Sequence, residues 1–267
     1  MPRRYANPHD VRLVRWLIEA GLNNCQISRS LGIPIGTIRN WRHRPGSWPG
    51  QRTISGRPAG TLCPRCHGRD LDEAAYVYLL GQYLGDGHVA RMRRGVYCLR
   101  ITMDARYPEM IEECRTAMAT VRSSSCRPYV SKKQGCVTVG VSWKHWPCVF
   151  PQHGAGRKHE RRIVLQPWQE ELVDRHPQLL IRGLIQSDGW RGTNPIVRRY
   201  RTSTGATVHR YAYPRYLFTN YSIDILGIFT DACDRYGIRW RQSRWNTISV
   251  ARREDVLKLD RVVGLKS

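Results

Sequence analysis

The chain has 267 residues, with 44 Lys or Arg against 21 Asp or Glu and a formal charge of +23. Such an excess repels itself unless a polyanion is near, and it favours nucleic acid as partner. No basic amphipathic stretch, lipidation signal, membrane-length apolar run or secretory apolar region stands out. The expectation is therefore a soluble cytoplasmic or nucleoid-associated protein, with no membrane partner and with its nine cysteines reduced.

In chain order, Val11, Val14, Leu17 and Ile18 are spaced for one helix face, and Gly21 ends that helix. Asn24 is placed to cap a second helix through Ile27 to Leu31, Gly32 makes a tight turn, and Pro34 to His43 forms a third helix. Residues 1–62 hold ten Arg against two acids, Asp10 and Glu19. Residues 1–44 resemble the helix-turn-helix family, with a recognition helix exposing Thr37, Arg39, Asn40 and Arg42. The alternative is a small three-helix bundle used for protein contacts.

Residues 45–71 read as a basic linker. Its first part is rich in Pro, Gly and Arg, and its end carries Cys63-Pro64-Arg65-Cys66 with His67 adjacent. That spacing is half of a zinc site, which needs four ligands. Cys148, His153 and His159 are the candidates for the rest, and Cys63, Cys66, Cys148 and His153 form the expected set. A thiol turn without metal is the other reading.

The next feature is a repeat. Leu79-Leu80-Gly81-Gln82-Tyr83-Leu84-Gly85-Asp86-Gly87 is echoed by Ile181-Arg182-Gly183-Leu184-Ile185-Gln186-Ser187-Asp188-Gly189. Each copy reads as a buried helix stopped at Asp-Gly. Gly81 with Gly85, and Gly183 with Ser187, lie on one helix face, and small residues at that spacing allow two helix backbones to approach closely. Asp86 and Asp188 would then face each other at the helix C-termini. There the macrodipole disfavours each anion by about 0.3–1 kcal/mol, and the two also repel. A divalent cation such as Mg²⁺ would offset both costs.

The flanks repeat as well. Tyr97–Thr102 and Val137–Val141 are strand-like around a helix from Pro108 to Val121. Arg215–Thr219 and Thr247–Val250 are strand-like around a helix from Ile223 to Tyr236, and Val256 to Val263 closes the second half. No acid lies between Glu113 and Glu160, or between Asp188 and Asp224, whereas basic residues are frequent in both stretches. This segregation favours a basic sheet surface that tracks phosphates, and the preference for Arg suits bidentate contacts.

On these motifs, residues 72–267 resemble the monomeric two-motif LAGLIDADG homing endonucleases. The resemblance implies an α+β fold of two pseudo-symmetric αββαββα repeats, 72–160 and 161–267, each with an antiparallel DNA-binding sheet, beside the small all-α domain. It implies a monomer that binds double-stranded DNA over a long recognition site. It also implies Mg-dependent phosphodiester hydrolysis, with Asp86 and Asp188 as metal ligands and catalytic residues. A basic residue near the last strand of each half, Lys144 and Arg253 with Arg252 beside it, would act on water or the scissile phosphate. Candidate DNA contacts are Arg91, Arg93, Arg100, Lys132 and Lys133 in the first repeat, and Arg198, Arg199, Arg201, Arg239, Arg241 and Arg244 in the second. The family's additional acid two residues before each aspartate is replaced here by Leu84 and Gln186. A non-catalytic DNA-binding transcriptional regulator and an RNA-splicing maturase are the alternatives on the same scaffold. Retention of both aspartates favours the nuclease over the regulator.

Overall fold

The computed structural model describes residues 8–43, 62–123, 125–202 and 205–264. The chain divides into two compact units, Met1–Leu62 and Cys63–Ser267. Most of the expected linker 45–71, namely residues 45–61, lies outside the described residues, as do residues 1–7 and 44 of the expected helix-turn-helix domain.

Among its described residues the first unit has three helices, α1 (Pro8–Glu19), α2 (Asn24–Leu31) and α3 (Ile35–His43). Val14, Ile27, Ile33, Ile38 and Trp41 form its core, with Leu17 and Ile18 packed against it. The side chain of Val11 lies outside the described residues. The cap of α2 is Asn23 rather than Asn24: Asn23 accepts from the Gln26 N–H, and Gln26 accepts from the Asn23 N–H, each at 2.9 Å. Gly32 closes α2 in the left-handed region, at φ 64°.

The second unit opens with a single helical turn, α4 (Pro64–His67). Its first half then runs α5 (Glu73–Gly85), β1 (Gly87–Arg91), β2 (Tyr97–Asp104), α6 (Pro108–Arg122), β3 (Tyr129–Lys133), β4 (Cys136–Trp143) and α7 (Trp146–Val149). After α8 (Pro167–Arg175), the second half runs α9 (Pro177–Asp188), β5 (Gly189–Thr202), β6 (Gly205–Thr219), α10 (Ile223–Tyr236), β7 (Arg241–Arg244), β8 (Thr247–Val250) and α11 (Arg253–Val263). The sheets, β1-β2-β4-β3 and β5-β6-β8-β7, are antiparallel and share one strand order. Their registers correspond: Gly87 pairs with Ile101 and Ile101 with Val139, as Gly189 pairs with Phe218 and Phe218 with Ile248. One residue on, Thr102 and Thr138 share a hydrogen bond of 2.9 Å, and Thr219 and Thr247 one of 3.1 Å.

Two differences between the halves bear on the site. The closing helix of the first is the one-turn α7, against eleven residues in α11. In the second, β5 and β6 extend far beyond the strand-like segment expected from sequence and pair from Gly189–Phe218 to Thr202–Gly205.

The core centres on α5, in which every residue from Tyr76 to Leu84 is buried, and on α9 beside it. A helix apolar all round must be covered on all sides, and here both sheets and α6, α10 and α11 surround the pair. The small residues sit at the crossing. A Cβ on Gly81 would lie 2.6 Å from the Leu180 carbonyl oxygen and 2.9 Å from Gly183 Cα; one on Gly183 would lie 2.8 Å from the Gln82 nitrogen. Gly85 faces Ser187 in the same order, so the helices run side by side with their C-termini together.

The glycines after the aspartates act differently from a left-handed helix stop. Neither Gly87 nor Gly189 has a positive φ. A Cβ on Gly87 would lie 2.9 Å from the Tyr83 carbonyl oxygen, and one on Gly189 would lie 2.6 Å from that of Ile185. Each glycine lets its strand fold back against the last turn of its own helix.

Gly183→Ala is expected to destabilise the chain by about 1–3 kcal/mol, because helix backbone has no room to move aside. Gly227→Ala in α10, where an added Cβ meets nothing within 4 Å, is expected to stabilise by about 0.5–1 kcal/mol. Urea unfolding of both variants checks the contrast, and equal effects would remove the crossing from its central place.

Candidate metal centre and nucleic-acid face

Asp86 is the exposed C-cap of α5, and Asp188 ends α9, partly exposed. The crossing sets them together, and a Cβ on Gly85, one residue before Asp86, would lie 3.1 Å from Asp188 Oδ2. Asn220, just after β6, donates from Nδ2 to that same oxygen at 2.8 Å and fixes the carboxylate.

The basic group at this place is Lys158, from the segment joining the halves. Its Nζ donates to the carbonyls of Tyr83 (2.5 Å), Leu84 (3.0 Å) and Gly85 (2.6 Å), the last acceptors of α5. Burial pulls its pKa from the ordinary 10.5 to about 8, while the charges of Asp188 and Asp86 pull it back up. The ammonium therefore answers both the helix-end carbonyls and the two carboxylates. His88, on β1 opposite Arg100, is held below its ordinary pKa by burial and by Lys158, Arg100 and Arg161.

Lys144 and Arg253 occupy equivalent positions, as the repeat predicts, but neither is carried to the aspartates. Lys144 follows Trp143, which pairs with Tyr97, whereas Gly87 is level with Ile101 and Val139. At ~3.3 Å per residue the strand carries Lys144 on the order of 16 Å past the level of Gly87. Arg253 starts α11, beyond Val250, and is exposed.

Strand alternation sorts the other basic residues. Arg100 and Lys133 lie on the outer face of the first sheet with Thr102, Thr138 and Tyr129. Arg91 and Lys132 share parity with the core-facing Leu99 and Val139 and are exposed where the strands overhang; Arg93 is exposed in the turn after β1. In the second sheet Arg198, Arg241 and Arg244 lie on the outer face, while Arg199 and Arg201 lie on the opposite face of the β5–β6 ribbon. Arg191, on the core-side parity, is bound by Asp260 at 2.7 and 2.9 Å. Arg239 is exposed, 4.0 Å from Glu254, and lines an open cleft with Arg215, Arg241 and Arg252. Arg215 Nε is buried there without a hydrogen-bond partner among the described residues.

The ribbon carries a feature absent from the sequence expectations, an aromatic ladder on the outer face. His209 stacks on Tyr211 and Tyr211 on Tyr213; Tyr200 meets His209 edge-on, and Arg198 lies 5.9 Å from the Tyr211 ring centre. In the first unit, Arg39 and Asn40 are exposed and Thr37 half-buried. Arg42 instead turns inward, donating to Asn24 Oδ1 at 2.8 Å and to the Leu22 carbonyl, and so ties α3 to the start of α2.

A second cluster lies around α4 and α7. The ligand atoms of Cys63, Cys66, His145 and Cys148 all lie within 4.8 Å of one another. His145 therefore stands where His153 was expected. His153 Nδ1 lies 3.2 Å from the Phe150 carbonyl oxygen, and its ring packs edge-on against Tyr97. His67 Nδ1 accepts the Cys63 N–H at 2.9 Å.

No family model matches the sequence, and no curated protein does. The fold is similar to solved structures of homing endonucleases. I-DmoI in complex with DNA and Mn is 16% identical, with 73% of this chain and 98% of that chain covered and a TM-score of 0.45. The LAGLIDADG meganuclease I-AabMI bound to uncleaved DNA is 11% identical, with 69% and 81% covered and a TM-score of 0.41. The meganuclease I-SmaMI bound to uncleavable DNA is 11% identical, with 71% and 82% covered and a TM-score of 0.38. At these identities and scores the likenesses add nothing to what the chain's own geometry carries. Among the described residues no helix is long and apolar enough to cross a membrane.

The Lys158 pKa has a testable sign. Between about 8 and 10.5 the unfolded chain holds more protons at this group than the folded one, so its contribution to stability rises with pH across that window. Urea unfolding of wild type and Lys158→Met from neutral to alkaline pH is expected to show the wild type gaining relative to the variant above about pH 8. A difference that falls there would refute the buried ammonium.

Proposed function

We propose that the chain is a site-specific double-strand DNA endonuclease of the homing type. The observation that carries this reading is the convergence of Asp86 and Asp188 at the paired ends of α5 and α9. Lys158 and Asn220 sit beside them, and a pair of sheets with basic outer faces flanks them.

The donor set suits a hard divalent cation: two carboxylates open to solvent, leaving room for waters and phosphate oxygens. Asp86 and Asp188 would hold Mg²⁺, which when bound activates the attacking water and stabilises the leaving oxygen in phosphodiester hydrolysis. Asn220 orients the Asp188 carboxylate. Lys158 occupies the carbonyls of Tyr83, Leu84 and Gly85 and offsets the negative end of α5. Lys144 and Arg253 are assigned to phosphate contacts.

Double-stranded DNA is the partner that suits the sheets. The β5–β6 ribbon has the width of a major-groove reader, and Arg198, Arg241, Arg244, Arg100 and Lys133 share the outer faces. The unit of α1 to α3 is read as a helix-turn-helix domain contacting DNA through Arg39, Asn40 and Thr37. The repeats 72–160 and 161–267 form the monomeric nuclease, which spans a long site.

Two measurements check this. The log of the DNA affinity is expected to fall by at least about five per log unit of salt, reflecting about six or more phosphate contacts at about 0.9 each. A slope near that of one or two contacts would refute the basic faces. The protein is then incubated with a randomised duplex library in Mg²⁺ or EDTA, and the ends are sequenced. Cleavage at one site in Mg²⁺ only, abolished by either Asp86→Asn or Asp188→Asn with binding retained, is the expected result. Cleavage surviving in either variant would remove the catalytic pair. A wild type that binds a duplex tightly and never cuts it would be a DNA-binding regulator.

A further inference from the structure

We propose that Cys63, Cys66, His145 and Cys148 hold one structural Zn²⁺ that closes the first repeat. The ligand types, three thiols and an imidazole, form one of the standard closed sets for tetrahedral zinc. Zinc bonds of about 2.3 Å to sulfur and about 2.0 Å to nitrogen give tetrahedron edges of about 3.5–3.8 Å. Cys66 Sγ lies 3.4 Å from Cys148 Sγ, and Cys148 Sγ lies 3.6 Å from His145 Nδ1. All nine cysteines are free, and the Cys66–Cys148 separation is far beyond a sulfur–sulfur bond of about 2.05 Å.

The surroundings orient the set. Cys63 caps the single turn of α4, which Gly68 ends in the left-handed region at φ 65°, so Cys63 and Cys66 project from one turn. The Cys63 N–H is taken by His67, and the His145 ring is held edge-on by His67 at 5.2 Å and by Trp143 at 5.4 Å. His145 and Cys148 flank Trp146, which is fully buried and donates to the Val141 carbonyl at 2.9 Å. Both halves of the site thus sit on rigid supports before any ion binds.

Topology gives the site its role. By register, α7 is the counterpart of α11, but it is one turn of four residues where α11 has eleven. Val256, Leu259 and Val263 of α11 are buried in the core of the second half, and α7 has no length to do the same in the first. The four ligands occupy this place. They tie the segment entering α5 to the segment leaving β4, around the whole first repeat. A bound ion supplies the closure that the missing turns cannot, in the manner of a cross-link.

The full-length protein, purified under reducing conditions, is assayed for metal by mass spectrometry and then exchanged with Co²⁺ as a spectroscopic probe. One zinc per chain and a thiolate-to-cobalt absorption band are expected. Cys66→Ser and Cys148→Ser should lose both, and His145→Ala should weaken Co²⁺ binding at least about tenfold. His153→Ala should leave both unchanged. The Co²⁺ spectrum of the wild type stands even if a cysteine variant fails to fold. A folded, reduced wild-type chain with neither zinc nor the cobalt band would overturn the site. Metal lost in His153→Ala but kept in His145→Ala would overturn the ligand set. None of these readouts depends on DNA cleavage.

Discussion

Backbone contact between α5 and α9 at Gly81 and Gly183 is the constraint on which the rest depends. Every other feature of the second unit is arranged around two helices brought closer than side chains allow. The same approach continues at Gly85 and Ser187, so the two C-termini end side by side. Each strand that follows must then leave at once without striking its own helix, which explains glycine at 87 and 189 with ordinary φ. Two sheets of identical order follow from two equivalent departures. The polar layer between the helices respects the same closeness: Tyr78 donates to Gln186 Oε1 at 2.7 Å, and Gln82 donates to that oxygen at 2.9 Å.

The electrostatic consequence is a site that costs stability when nothing is bound. Two carboxylates sit where both helix dipoles are negative, each disfavoured by about 0.3–1 kcal/mol before their mutual repulsion. Lys158 offsets part of this, yet a buried ammonium with a pKa of about 8 is itself under strain from desolvation. Opposing terms of this kind at one solvent-open point mark a place built for a ligand rather than for packing. Around it, among the described residues, Arg100, Lys133, Arg198, Arg241 and Arg244 are exposed on the outer sheet faces, where like charges repel unless an anion is near.

How much of this the sequence carries depends on how local each feature is. Asp86, Asp188 and the small residues are legible because the helix period and the duplicated motif fix them. The cap of α2 reads one residue late from sequence, at Asn24, because two adjacent asparagines offer the same side chain and only the pairing of Asn23 with Gln26, three residues on, separates them. Lys158 is not, because it reaches the α5 carbonyls along an irregular segment that no period describes. His145 lies three residues before Cys148 across the start of a one-turn helix, a spacing too short to read from hydrophobic pattern. The long β5–β6 ribbon is hidden because most of its residues beyond the four-stranded part are exposed on both faces, so no apolar alternation remains to betray it. Arg42 reads as a DNA contact from its position in α3, and only the tertiary turn toward Leu22 and Asn24 shows that it holds the unit together.

Whether Asp86 and Asp188 form one centre or two separate helix ends is decided by where a bound metal sits. Fe²⁺ supplied in place of Mg²⁺ to the full-length protein, with ascorbate and peroxide, cuts polypeptide next to wherever the iron sits. A shared centre predicts backbone scission near both Asp86 and Asp188 in the same sample, with both cuts reduced together in Asp86→Asn. Scission confined to one motif, or an Asp188 cut untouched by Asp86→Asn, would contradict it.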